Sequence, residues 1–67
     1  LTSREMQVLQ SLAKGRSNRE IGEVLGVSPK TVETHRGNIM RKFGVHSIAT
    51  LLVEAMRRGL IGLENQP

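Results

Sequence analysis

The sequence predicts an all-α fold, a four-helix bundle-like domain with a central helix-turn-helix. Three observations predict it. Polar caps recur ahead of segments whose apolar residues are spaced three and four apart, and a glycine follows each segment. No segment alternates apolar and polar residues as a strand would. Only Gly26 and Val27 separate the second segment from the cap of the third. The length agrees, because 67 residues make one small domain spanning 1–67. Such a domain buries only about 60% of the surface its unfolded chain exposes. There is no cysteine, so neither a disulfide nor a thiolate metal site supplements the core. Local helical contacts are then the least costly way to fold.

Each helix carries its own start and stop. Thr2 and Glu5 form a capping box for the first, whose apolar residues are Met6, Leu9, Leu12 and Ala13 with Val8 beside them, and Gly15 ends it. Ser17 and Glu20 repeat the box for the second, with an apolar face of Ile21, Val24 and Leu25 and a stop at Gly26. Ser28 caps the third, and Pro29 takes its first position, where the missing N–H costs nothing. Val32, Ile39 and Phe43 line one face of that helix, which runs from about Pro29 to Phe43 and stops at Gly44. Ser47 caps the fourth, which runs to about Arg58 and stops at Gly59. The tail Leu60 to Pro67 is short, with Leu60 and Ile61 available to pack.

The middle pair has the spacing of a helix-turn-helix. Two helices joined by so short a turn cross steeply. Gly22 sits inside a helix, where glycine costs about 1 kcal/mol against alanine, and close approach of the third helix would explain it. Gly26 permits the turn, Val27 plugs it from below, and Val32 fills the gap between the helices. A bare αα-corner without a ligand is the plain alternative.

The charge is distributed unevenly. The formal net charge is +4, which suits a polyanionic partner. Residues 28–46 carry Lys30, Arg36, Arg41 and Lys42 against Glu33 alone, whereas the flanking segments are nearly balanced. On a helical wheel the face of the third helix opposite Val32, Ile39 and Phe43 carries Lys30, Thr34, Gly37 and Arg41, flanked by Glu33 and Asn38. Glu33 can accept from a cytosine amino group, and Thr34 offers a hydroxyl and a methyl to thymine. Lys30 and Arg41 can reach guanine or phosphate. Asn38, Thr31, Arg36 and Lys42 suit phosphate contacts that set register without reading sequence. The starts of helices two and three add backbone donors, with Ser17, Asn18 and Arg19 nearby. Gly37 is either room for a close surface or a tolerated surface glycine. Glu33 has a plain reading as a solvated acid or a partner of Arg36 or Lys30. Glu5 and Glu20 can each pair across the fold with Lys42 or Arg36, and the sequence does not choose.

With these residues in hand, the chain resembles the LuxR/FixJ/NarL-type helix-turn-helix domain. The resemblance runs from Leu1 to about Ile61, through L-T-S-R-E-M-Q-V-L, G-R-S-N-R-E-I-G-E-V-L-G-V-S and K-T-V-E-T-H-R-G-N-I-M-R-K-F-G-V. It implies a bacterial transcription regulator whose third helix enters the major groove of double-stranded DNA. It also implies a separate N-terminal receiver or ligand-binding domain that controls dimerisation. Matched position by position, it implies base contacts at Glu33, Thr34 and Gly37, and phosphate contacts at Ser28, Lys30, Thr31, Asn38 and Lys42. To the phosphate set the residue chemistry adds Arg41, Ser17 and Asn18. Two departures stand out: Ile48 and Leu51 replace the usual arginine and alanine after Val45, and Gly22 replaces a more usual alanine.

The fourth helix points to a homodimer independently. Its apolar residues span about 200° of the wheel, where one core needs roughly 100°. The expected interface is Ile48, Leu51, Leu52 and Ala55, with cover by Leu60 and Ile61 as the alternative. A symmetric dimer would set two reading helices about 34–36 Å apart.

Three functions compete: a sequence-specific transcription regulator, a sigma-factor region-four-like domain that also docks on RNA polymerase, and a helical protein–protein module with a merely solvated basic face. RNA reading leans on stacked aromatics, and the one aromatic, Phe43, faces the core. No nucleophile–base pair, catalytic carboxylate pair or phosphate loop supports an enzyme. His35 and His46 lie eleven apart without cysteine, which argues against zinc. No cofactor is expected. No apolar run reaches the roughly 18 residues of a membrane span, so a cytoplasmic protein is expected, with no membrane partner. Starting on Leu1 at a helix cap, the chain reads as the C-terminal part of a longer regulator.

Overall fold

A computed structural model describes residues 1–62; the predicted tail beyond them lies outside the described residues. Four helices follow in order: α1 (Ser3–Ala13), α2 (Asn18–Leu25), α3 (Pro29–Phe43) and α4 (Ile48–Arg57). The described residues contain no strand. Every predicted cap is made. Thr2 Oγ1 and Ser17 Oγ each accept from the backbone N–H of the glutamate three residues on, and that glutamate accepts in return from the cap's own N–H. Ser28 and Ser47 cap α3 and α4 by accepting from Thr31 and Thr50. Gly26, which ends α2, adopts a left-handed φ of 73°, which a residue with a Cβ rarely takes.

The core is continuous through all four helices. Val8, Leu9 and Leu12 of α1 meet Ile21 of α2, Val32 and Ile39 of α3, and Leu51 and Ala55 of α4. Met40, Phe43, Leu60 and Ile61 pack against its edge. Two expectations are corrected here. Val24 is 59% exposed, not part of the apolar face of α2. That helix buries Ile21 and Gly22 and half-buries Leu25, and Val24 lies roughly 110° round from the centre of this face. Leu51 and Ala55 are fully buried within one chain, so neither is available to an interface between chains.

Gly22 is close-packed, but against the turn more than the body of α3. A Cβ there would lie 2.6 Å from the carbonyl oxygen of Val27 and 3.4 Å from Pro29 N. The Gly22 carbonyl accepts from Val27 N at 2.9 Å, so the turn folds directly back onto the helix that precedes it.

The far end of α3 is fixed to α1. Glu5 is buried, and its Oε1 accepts both from Thr2 N at 3.0 Å and from Lys42 Nζ at 2.7 Å. One carboxylate oxygen therefore caps α1 and anchors α3. Of the alternatives left open by the sequence, the Glu5–Lys42 pair is the one formed, while Glu20 serves its cap. Arg58 closes the α3–α4 corner from outside, its guanidinium 4.3 Å from the centre of the Phe43 ring.

Lys42, followed by the Thr2 amide, lowers the Glu5 pKa from the ordinary 4.5 to about 2. Because the folded value lies below the unfolded one, the stabilisation is complete above about pH 4.5 and is lost as pH falls toward 2. Urea midpoints measured from pH 7 to 2 should show that loss in the wild type. Glu5→Gln should be less stable at pH 7 and should lose less over the acid range; an unchanged acid dependence would contradict the role given to this pair.

Candidate nucleic-acid interface

With Val32 and Ile39 buried, the opposite side of α3 is turned outward. Lys30, Thr31, Glu33, Thr34, Arg41 and Lys42 are exposed, and Gly37 and Asn38 are half-buried among them. Glu33, Thr34 and Gly37 thus share a face with Lys30, Asn38 and Arg41, as the periodicity predicts. The hydroxyl of Thr34 donates to the Lys30 carbonyl at 3.2 Å, which orients its methyl group and oxygen on that face. Arg41 Nη2 donates to Asn38 Oδ1, so the guanidinium folds back along the helix.

Other polar residues of the predicted set are already employed inside the fold. Ser28 and Thr31 share the cap of α3, with their hydroxyls 3.0 Å apart. Ser17 caps α2. Asn18 Oδ1 accepts from Arg36 Nη1 at 2.8 Å, a cross-link between the start of α2 and the middle of α3. Lys42 faces outward, but its charge is partnered by Glu5. These residues surround the outward face and hold it in place. The starts of α2 and α3 nevertheless lie at its margin, and the unpaired N–H groups of a helix start favour an anion. Arg16 and Arg19 flank the first of them, and Lys30 the second.

A second exposed feature lies on α4. Ala49, Val53 and Met56 recur at i, i+4 and i+7, with Val53 52% and Met56 37% exposed. Ile48 and Leu52 are half-buried against the core at the sides of this stripe. The residues that replace the usual arginine and alanine therefore go inward, Leu51 fully and Ile48 partly. Reading helix four as two stripes, and not as one wide apolar face, would have separated Leu51 and Ala55 from Ala49, Val53 and Met56. The Phe43–Arg58 contact and the inward place of Met40 have no comparable sequence signal. Among the described residues no group of His, Cys, Asp or Glu could hold a metal ion, and no helix is long and apolar enough to cross a membrane.

Comparisons with known proteins agree with this geometry. The GerE family model, described as bacterial regulatory proteins of the luxR family, matches residues 1–55. The chain is 52% identical over 60 residues to the uncharacterized response regulatory protein YgeK of Escherichia coli K12, covering 90% of this chain and 41% of that protein. It is 43% identical over 61 residues to the transcriptional regulatory protein MctR of Rhizobium johnstonii, covering 91% and 28%. The chain thus spans less than half the length of these curated relatives. The structure of the transcription factor GerE superposes with a TM-score of 0.89 at 34% identity, covering 96% of each chain.

Gly37 offers a direct check on what the outward face is for. A Cβ there would meet only Arg41 Nη1, at an ordinary 3.7 Å. Gly37→Ala should therefore raise stability by about 0.5–1 kcal/mol, the helix-propensity difference. A urea or thermal melt reads this, and a destabilised Gly37→Ala would mean that the fold itself demands the glycine.

Proposed function

The chain belongs to the luxR family of bacterial regulatory proteins, whose DNA-binding domain it carries, and from that premise we propose how it binds. In this reading α3 enters the major groove of double-stranded DNA and reads sequence there. Glu33 and Thr34 meet base edges, and Gly37 leaves room between them. Lys30 contacts phosphate, while the starts of α2 and α3, with Ser17, Asn18, Ser28 and Thr31, present backbone and side-chain donors to the flanking phosphates. The observation that carries the reading is the outward face of α3. Its charged groups are basic apart from Glu33, and the helix is held at its middle by a contact to α2 and at its far end by a contact to α1.

Relatives such as MctR of Rhizobium johnstonii and DegU of Brevibacillus brevis are transcriptional regulatory proteins, and they are longer than this chain. We therefore read the chain as the DNA-binding part of a longer transcription regulator, working in the cytoplasm. In that protein a receiver or ligand-binding domain would control dimerisation. The family match leaves the sigma-factor alternative without an observation in its favour. A homodimer would form through the exposed stripe Ala49, Val53 and Met56, with Ile48 and Leu52 at its edges. This stripe takes the place of Leu51 and Ala55, which the core consumes.

Selection of bound sequences from random duplexes tests base reading. Glu33→Ala or Thr34→Ala should relax preference at one or two positions by roughly 5- to 100-fold, more than either lowers non-specific binding. Lys30→Ala should instead weaken all duplexes evenly and reduce the salt slope by about one. Unchanged specificity in the first pair would remove α3 from the reading role. For the dimer, Val53→Glu and Met56→Glu should abolish cooperative binding to two half-sites while leaving single half-site affinity intact. Unimpaired cooperativity in a gel shift would assign dimerisation to another surface.

A further inference from the structure

The proposal above leaves Arg41 without a definite task, and its geometry supplies one. Arg41 lies four residues beyond Gly37 and seven beyond Thr34, so the three form one stripe along the outward face of α3. Side chains on a helix lean toward its N-terminus, so the patch covered by residue 41 is the surface over the preceding turn. At the centre of that patch stands Gly37, which has no side chain. Arg41 fills the opening: Nη1 lies 3.7 Å from where a Gly37 Cβ would be, and Nη2 donates to Asn38 Oδ1. The guanidinium is thereby brought back over the preceding turn, beside Gly37, with one of its nitrogens held by Asn38. A guanidinium has five N–H donors, and Asn38 engages one of its groups, which leaves others for a ligand.

A phosphate anchor needs charge and reach, and Lys30, exposed at the start of the same face, has both. An orientation fixed in advance matters for a planar, two-pronged acceptor. In the major groove that acceptor is the O6/N7 edge of guanine, which arginine takes through two parallel hydrogen bonds. We propose that Arg41 is a guanine reader and that Asn38 is the residue positioning it, beside the open surface that Gly37 leaves on the preceding turn. This rests on the reading that α3 enters the major groove, and it transfers base reading at this turn from Gly37 to Arg41.

The test uses the sequence that the wild-type protein selects from random duplexes, together with every single-base substitution of it, at several salt concentrations. The wild type should discriminate for guanine at one position of each half-site by roughly tenfold or more. Arg41→Ala should bind all four bases at that position equally while keeping the preferences elsewhere. Arg41→Lys keeps the charge but loses the fork, so it should retain affinity and still lose that discrimination. Asn38→Ala should reduce preference at this position alone, without changing the salt slope, since asparagine carries no charge. The proposal is overturned if Arg41→Ala weakens every duplex evenly, flattens the slope by about one and is restored by Arg41→Lys, which is phosphate behaviour. It is also overturned if Arg41→Ala changes no preference. In either case, preferences lost in Thr34→Ala would show that α3 still reads the groove. A wild type that selects no sequence would remove both readings together.

Discussion

The contact between Gly22 and the Val27 carbonyl governs the rest of the structure. Two helices joined by so few residues must cross steeply, and the turn must pass over the surface of the helix it leaves. Any side chain at position 22 would collide with backbone at 2.6 Å, and backbone yields less readily than the end of a flexible side chain. Once α3 starts where that contact puts it, Val32 meets Ile21 in the core and the opposite side of α3 has no neighbour. The outward face is a consequence of the turn. A helix of fifteen residues is roughly 22 Å long, however, and α2 is only eight residues. The turn can orient the beginning of α3 but not hold its far end. The Glu5–Lys42 pair and the stacking of Arg58 on Phe43 do that, so the direction of α3 is set at its start and again at its far end.

This division of labour changes what the positive charge means. The sequence concentrates basic residues in its middle, and the simplest reading gives all of them to a polyanion. The structure assigns Arg36 to Asn18 and Lys42 to a buried carboxylate, and it turns Arg58 toward Phe43 and Glu54. Two of the four basic residues of α3 are thus bound up in fixing the helix, and Lys30 and Arg41 are left on the face it presents. Lys42 is the clearest case. A carboxylate as deeply buried as Glu5 needs a partner, and losing that partner would leave it without a counter-charge. Within the domain its task is to hold still the helix on which Lys30, Glu33, Thr34 and Arg41 stand.

The helix boundaries were legible in the sequence because caps are local. Thr2 with Glu5, Ser17 with Glu20, Ser28 with Pro29, and Ser47 each act within a few residues, and each acts as its spacing predicts. The outward set of Glu33, Thr34, Gly37 and Arg41 was legible for the same reason, since periodicity places residues on a face. Periodicity does not say what covers that face. Val24 is apolar and three residues from Ile21, yet α1 and α3 both approach from the side of Gly22 and Leu25. Leu51 and Ala55 share a helix with Ala49, Val53 and Met56, and a wheel shows one broad apolar surface where the fold makes an inner and an outer one. Glu5 was legible as a cap and as a possible ion-pair partner, but that one oxygen serves both is a fact of distance and has no sequence signature. The role of Gly22 lay between: its cost was visible, while the atom that demands it belongs to the turn.

Gly22 and Gly37 separate a glycine that the packing of this chain crowds from one with room to spare. Both are glycines inside helices, and each costs about 1 kcal/mol against alanine. At Gly22 that cost is offset within the domain, because a methyl group would strike the Val27 carbonyl. At Gly37 nothing in the domain offsets it, because a methyl would meet one arginine nitrogen at an ordinary distance. A position at which the folded chain would gain from a change is where a demand from outside the folded chain would show. Local rules are expected to break where function demands it. Glu33 departs in the same sense, as the one acid on an otherwise basic face. Neither residue improves the domain or adds to its attraction for a phosphate backbone. Both become intelligible when the surface opposite α3 has base edges with particular donors and limited room, which makes the two least helpful residues of the helix the most informative about what it contacts.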